Sequence, residues 1–125
     1  MIKTLIPAFI VGGIICMIGQ LIFDLLHLWT SLDKEGLSSA TSIIMIFLGS
    51  FFTGIGVYDR IGHYAGGGSI IPITGFANSV ASPAMEFNRE GLIFGVCCKM
   101  FVISGPIIVL GIVASVFVGI VGMFL

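Results

Sequence analysis

The sequence predicts an all-α fold: one polytopic helical membrane domain, residues 1–125, of about four to five spans including a discontinuous or re-entrant segment, at roughly 20 residues per full span. Three observations carry that reading. First, 58% of the residues are hydrophobic and 9% charged, with a mean hydropathy of +1.23, whereas a soluble domain carries about 25% charge. A soluble fold this apolar would expose large apolar patches and aggregate, so lipid is the solvent that fits. Second, apolar runs of crossing length alternate with short charged turns. Third, residues 66–88 are rich in glycine and proline yet almost free of charge, too broken for an ordinary helix and too apolar for an exposed loop.

The first span is expected over 5–28. It follows Lys3 as a signal peptide would, but the apolar run exceeds the 7–15 residues of a signal core, so it reads as a retained span. Gly13, Cys16, Gln20, Asp24 and His27 recur at helical spacing on one face. A carboxylate near lipid is costly, so this face should meet protein or water. Asp24 and His27 either pair or reach the interface beside Trp29, a residue suited to that depth. A hydrated loop, 30–39, contains Asp33, Lys34, Glu35 and Gly36. The second span is expected over 40–57, with Ser42, Gly49, Thr53 and Gly56 on one face. Small residues in such a stripe let helix backbones approach closely, so Gly49, Thr53 and Gly56 are read as helix-packing positions. Tyr58, Asp59 and Arg60 then close the span, with Asp59 and Arg60 read as a solvated surface turn.

In the broken segment, Gly66, Gly67 and Gly68 permit unusual backbone angles, and Pro72 and Pro83 each lack a backbone donor. Broken backbone is tolerated at membrane depth only where it is buried in protein or lines a wet cavity. A helix over 74–89 would place Thr74, Asn78, Ser82, Glu86 and Arg89 along one slowly drifting face, with Ser69 as a cap before it. Hydroxyls and amides so placed can replace part of a solute's hydration shell, and discontinuous helices serve transporters in this way. The candidate solute path is therefore Ser69, Thr74, Asn78, Ser82 and Glu86. Thr74 and Asn78 would orient the solute, and Glu86 would act in gating or near a cation. Competing readings stand beside these: Glu86 pairing with Arg89 at the interface, Asn78 as an interhelical hydrogen-bonding residue, Lys99 reaching the headgroups, and the glycine run as a simple turn.

The remaining run, 92–125, is too long for one crossing, and Gly105-Pro106 is the natural break, giving segments 92–104 and 106–125. Gly111 and Ser115 lie with Ser104 and Gly122 on a further small-residue packing face. The cations Lys3, Lys34, Arg60, Arg89 and Lys99 are spread along the chain and set no orientation. Basic runs that would attract nucleic acid are missing. The cysteines Cys16, Cys97 and Cys98 have no metal or redox spacing, and no GxSxG, HExxH or Walker pattern occurs, so neither a metal or other cofactor nor an enzyme activity is expected.

Several blocks together resemble the stage V sporulation SpoVA membrane proteins. They are Ala8-Phe9-Ile10-Val11-Gly12-Gly13 with Ile18-Gly19-Gln20, Gly54-Ile55-Gly56-Val57-Tyr58-Asp59, Pro72-Ile73-Thr74-Gly75-Phe76-Ala77-Asn78-Ser79, Ser82-Pro83-Ala84-Met85-Glu86-Phe87, Glu90-Gly91, Lys99-Met100-Phe101 and Gly105-Pro106. The resemblance covers nearly the whole chain, is most specific in the Pro72–Phe87 block, and is nearest to the SpoVAC branch, with the SpoVAE type as a near relative. Cys97-Cys98 departs from the small residues expected there. The resemblance implies a location in the inner membrane of the bacterial spore. It also implies a role in moving dipicolinic acid (pyridine-2,6-dicarboxylic acid), chelated with calcium, into the developing spore and out in germination. The implied partners are SpoVAE-type subunits and the soluble SpoVAD protein. A formally neutral one-to-one chelate suits a neutral polar path better than a ring of fixed charge. One small chain is too slight to enclose a ring-sized solute, so a homo- or hetero-oligomer is expected. Two alternatives are a non-conducting structural or plug subunit and a channel opened by bilayer tension.

Overall fold

The first helix, α1 (Ile2–Trp29), and the second, α2 (Lys34–Gly54), form an antiparallel pair joined by a tight polar loop. Their direction follows from the short connection and from Gly19, where an added Cβ would lie 3.7 Å from the Met45 side chain. The computed structural model describes residues 2–124, with side chains from Leu5 onward except at residue 103. Helix α2 begins well before the expected residue 40 because Asp33 caps it: its carboxylate accepts the Gly36 N–H at 3.1 Å, and Glu35 sits favourably in the first, electropositive turn. The helix ends at Gly54 because Gly56 adopts a left-handed φ of 71°. Gly56, expected at a helix contact, is instead a turn residue, with no atom within 4 Å of where a Cβ would lie.

Three shorter helices follow: α3 (Val57–Ala65), α4 (Gly67–Ile70) and α5 (Ile73–Glu86). Gly66, with φ 51° and ψ −124°, separates the first two, and Pro72 in extended conformation opens α5. Helix α5 has 14 residues, about 21 Å at 1.5 Å per residue, too short for a hydrocarbon core of about 30 Å. Its most extensive partner is α2. Gly49 lies against Thr74 and Ala77, and Thr53, one turn further along α2, meets Asn78, one turn further along α5. The two contacts advance together, so α5 runs parallel to the end of α2. Residues 55–72 must therefore climb back into the bilayer before α5 descends, which makes this stretch re-entrant.

A 3-10 turn (Asn88–Glu90), Gly91 at φ 99° and a π-helix (Leu92–Cys97) reverse the chain into α6 (Cys98–Phe124). The expected break at Gly105-Pro106 does not occur, and α6 continues through it. Pro106 removes only its own N–H, which frees the Val102 carbonyl, and membrane helices absorb such a loss through local adjustment. The discontinuity sits earlier, at Phe87–Cys97. Among the described residues, three helical stretches are long and apolar enough to cross a membrane: Leu5–Trp29, Lys34–Gly54 and Ser104–Phe124. Gly111 and Ser115, expected to pack, are uncovered by the chain's own helices, and the Ser115 hydroxyl donates to the Gly111 carbonyl of its own helix at 2.8 Å.

A Cβ at Gly49 would lie 2.8 Å from the Thr74 carbonyl oxygen and 2.9 Å from its Cα, backbone atoms that cannot step aside. Gly49→Val should therefore displace α5 and cost about 1–3 kcal/mol. In detergent, thermal unfolding of this variant should start well below wild type, while Gly54→Ala, with open space beside it, should leave the transition in place.

Candidate functional site

The broken segment must satisfy backbone groups that a continuous helix would pair internally. Helix α4 is one turn long, so its carbonyls need outside donors. Tyr58 supplies one. It enters on the first turn of α3, is 5% exposed, and its hydroxyl lies 2.8 Å from both the Ser69 carbonyl and the Thr74 Oγ1. A phenol has one proton and can also accept. The arrangement that satisfies all three groups has Tyr58 donating to the Ser69 carbonyl and accepting from the Thr74 hydroxyl. The Ser69 hydroxyl donates to the Gly66 carbonyl at 3.0 Å. One side chain thus ties α3, α4 and α5 together.

A second polar contact joins α5 to α2. Thr53 Oγ1 lies 2.7 Å from the Gly49 carbonyl and 2.7 Å from Asn78 Oδ1. One hydroxyl proton cannot serve both acceptors. With the Asn78 carboxamide turned end for end, its amide N–H donates to Thr53 while Thr53 donates to Gly49. Among the described residues every buried side-chain nitrogen and oxygen has a partner.

Of the five residues expected on a solute path, Ser69 and Thr74 are buried and bridged by Tyr58, and Asn78 is half-buried against Thr53. Ser82 is half-buried and Glu86 exposed, farther down α5. The first three lie along one polar seam made of two neighbouring hydrogen-bonded contacts, Ser69 and Thr74 on Tyr58 and Asn78 on Thr53. Thr53 belongs to it and Gly49 lies at its edge. Tyr58, which the sequence pattern marks only as the close of the second span, is its centre. A signal for it exists in the sequence: Tyr58, Ile61 and Ala65 share one face of α3 immediately before a break whose carbonyls need a donor.

A cavity of about 370 Å³ lies between α1, α2 and α3, walled by Ile14, Ile18, Met45, Phe52 and Ile61 and reaching Tyr58 and Thr74. Its walls are apolar, so it offers no continuous polar route. On α1, the Gln20 amide donates to the Asp24 carboxylate at 2.9 Å, on a face the chain leaves open. The Lys99 ammonium lies 4.2 Å from the centre of the Phe87 ring, a cation–π contact that holds the start of α6 to the end of α5.

The family model for the SpoVAC/SpoVAEB sporulation membrane proteins matches residues 4–121. The chain belongs to this family. It is 43% identical over 116 residues to the stage V sporulation protein AC of Bacillus subtilis (strain 168), a match that covers 93% of this chain and 77% of that protein. No solved structure matches significantly. Within the SpoVAC/SpoVAEB family the chain is thus a helical sporulation membrane protein, with its break held by Tyr58.

Tyr58→Phe removes a buried donor and leaves the Ser69 carbonyl unpaired, at a cost of about 1–3 kcal/mol. Thr74→Val should cost a similar amount. Because the two share one bond, the double variant should lose less than the sum, by about 1 kcal/mol. Tyr64→Phe, at a 72% exposed position, should change stability by less than about 0.5 kcal/mol. Denaturation of the four proteins in the same detergent measures the cycle.

Proposed function

We propose that this protein is a path-lining subunit of a channel or transporter that carries calcium dipicolinate across the inner membrane of the spore. The observation that carries this reading is the half-helix α5, which starts at Pro72, is too short to cross a bilayer, and presents Thr74 and Asn78 to a seam of neutral hydroxyl and amide groups. Membership of the sporulation family supports the setting. Neutral donors and acceptors can take over part of the hydration of a formally neutral chelate without trapping it, whereas a ring of carboxylates would favour bare cations.

The seam is closed in this conformation. Opening it means parting α5 from Tyr58 and Thr53, two contacts between neutral groups worth about 1 kcal/mol each. Such bonds can be exchanged for bonds to a passing solute at little net cost. On this reading Glu86, exposed at the end of α5, meets the calcium-bearing side of the cargo. The rest of the wall comes from other subunits, either further copies or SpoVAE-type chains, with SpoVAD as a soluble partner. The uncovered Gln20–Asp24 face of α1 and the uncovered length of α6 are where those neighbours dock.

A second reading is favoured by one specific observation: Ser69, Thr74 and Asn78 use their hydrogen bonds within the chain. The protein would then be a structural subunit that holds a conducting neighbour. Vesicles loaded with calcium dipicolinate separate the two readings. With partners reconstituted, Asn78→Leu and Thr74→Val should slow release several-fold, and Glu86→Ala should also slow it, while all three variants still insert and co-purify with the partners. Variants that assemble normally and release at the wild-type rate would remove α5 from the path.

A further inference from the structure

The re-entrant path changes where the cations lie. If every apolar segment crossed the membrane in turn, the charges would alternate between faces. Here the end of α2 lies on the same side as the beginning of α1, because the two helices are antiparallel. Arg60 follows on α3, one short turn beyond α2. Helix α5 runs parallel to the end of α2, as the Gly49–Thr74 and Thr53–Asn78 contacts require, so Arg89 arrives at that side as well. Lys99 stays there too, because its ammonium sits over Phe87 and Gly95 lies against the Phe87 carbonyl. Lys3 precedes α1's apolar core on the same side. The opposite side has Lys34 alone. The division is therefore Lys3, Arg60, Arg89 and Lys99 against Lys34, four to one among the five cations of the chain.

From this division we infer that the face bearing Arg60, Arg89 and Lys99 is the cytoplasmic face and rests on anionic lipid headgroups, with the α1–α2 loop and the end of α6 on the opposite side. Lysine and arginine near span ends are retained on the cytoplasmic side, and acidic residues contribute little to that choice. The acids are in any case evenly divided: Asp59, Glu86 and Glu90 on one side, Asp24, Asp33 and Glu35 on the other. The anionic cytoplasmic leaflet adds attraction for each of the clustered cations. Lys99 has its ammonium over the Phe87 ring at the end of α5, and a lysine at a helix end can carry its charge to the headgroups. The inference is independent of the cargo, since it uses only the direction of α5 and the positions of the charges.

The test is cysteine accessibility in the full chain, expressed in intact bacterial protoplasts, on a background with Cys16, Cys97 and Cys98 replaced by serine. Lys34→Cys should react with a membrane-impermeant maleimide from outside. Asp59→Cys and Glu90→Cys should react only after permeabilisation. Phosphatase fused after Leu125 should be active, and fused green fluorescent protein should be dark. Reversal of the labelling pattern would overturn the orientation. Labelling of Asp59→Cys and Glu90→Cys from opposite sides would overturn the parallel run of α5 on which it rests. Equal labelling of all three sites before permeabilisation would also overturn the inference, since it would mean mixed orientation.

Discussion

The structure depends on one constraint: backbone polar groups at membrane depth must find partners without water. A continuous helix meets this internally, but residues 62–76 do not form one. Instead the Gly66 N–H donates to the Gly62 carbonyl at 2.9 Å, the Ile71 N–H to the Gly67 carbonyl at 3.2 Å, and the Gly75 N–H to the Pro72 carbonyl at 2.8 Å. The carbonyl of Ser69 is left for Tyr58. Glycine is required where this broken backbone meets its neighbours. A Cβ at Gly68 would fall 2.0 Å from the Ala8 carbonyl oxygen, and one at Gly75 would fall 2.2 Å from that of Ser69. The break is therefore a fitted element, wedged against α1 on one side and capped by a phenol on the other.

Lipid as solvent changes what such contacts are worth. Uncovered leucine, isoleucine and phenylalanine along α1 and α6 cost nothing against acyl chains, so burying them gives little drive to fold. Helix association in a bilayer rests on close packing and interhelical hydrogen bonds, the latter averaging about 0.6 kcal/mol with a ceiling near about 1.7. Among the described residues the fully covered apolar ones are few: Leu37, Met45, Tyr58, Ala65 and Ala77. Three of them, Tyr58, Ala65 and Ala77, belong to α3 and α5. What specificity the fold has is concentrated where α2, α3 and α5 meet, and each bond there is weak enough to be exchanged. A segment held so lightly inside a membrane is suited to movement, which links the packing to the transport reading.

Much of this is legible in the sequence, and the misses have physical causes. The all-helical membrane character and the broken segment follow from hydropathy and from glycine and proline, and helical spacing brings Thr74 and Asn78 onto one face of α5. Pro106 misleads because proline breaks helices in water, whereas α6 carries it through a membrane span. Gly56 misleads because glycine serves both close packing and left-handed turns, and spacing alone does not separate the two; the φ of 71° does. The role of Tyr58 is obscured by its neighbours, since Asp59 and Arg60 mark a polar turn and hide an inward-facing residue. The orientation is hidden for a different reason. It depends on the parallel run of α5 beside α2, a contact between residues far apart in sequence.

The lengths of α5 and α6 bear on how any path is completed. The Ser104–Phe124 stretch has 21 residues, about 31 Å long, while α5, which packs beside its beginning, is about 21 Å long. Beyond the start of α5 at Pro72, the later part of α6 continues alone, and Gly111, Gly119 and Gly122 have no atom within 4 Å of an added Cβ. A solute led along α5 would therefore leave this chain's polar groups part-way through the bilayer. On the transport reading the other half of the route must be lined by a neighbouring subunit, packed where α6 stands uncovered. The half-helix then needs a partner for the same reason that its own carbonyl needs Tyr58: a polar group at this depth must be met by another.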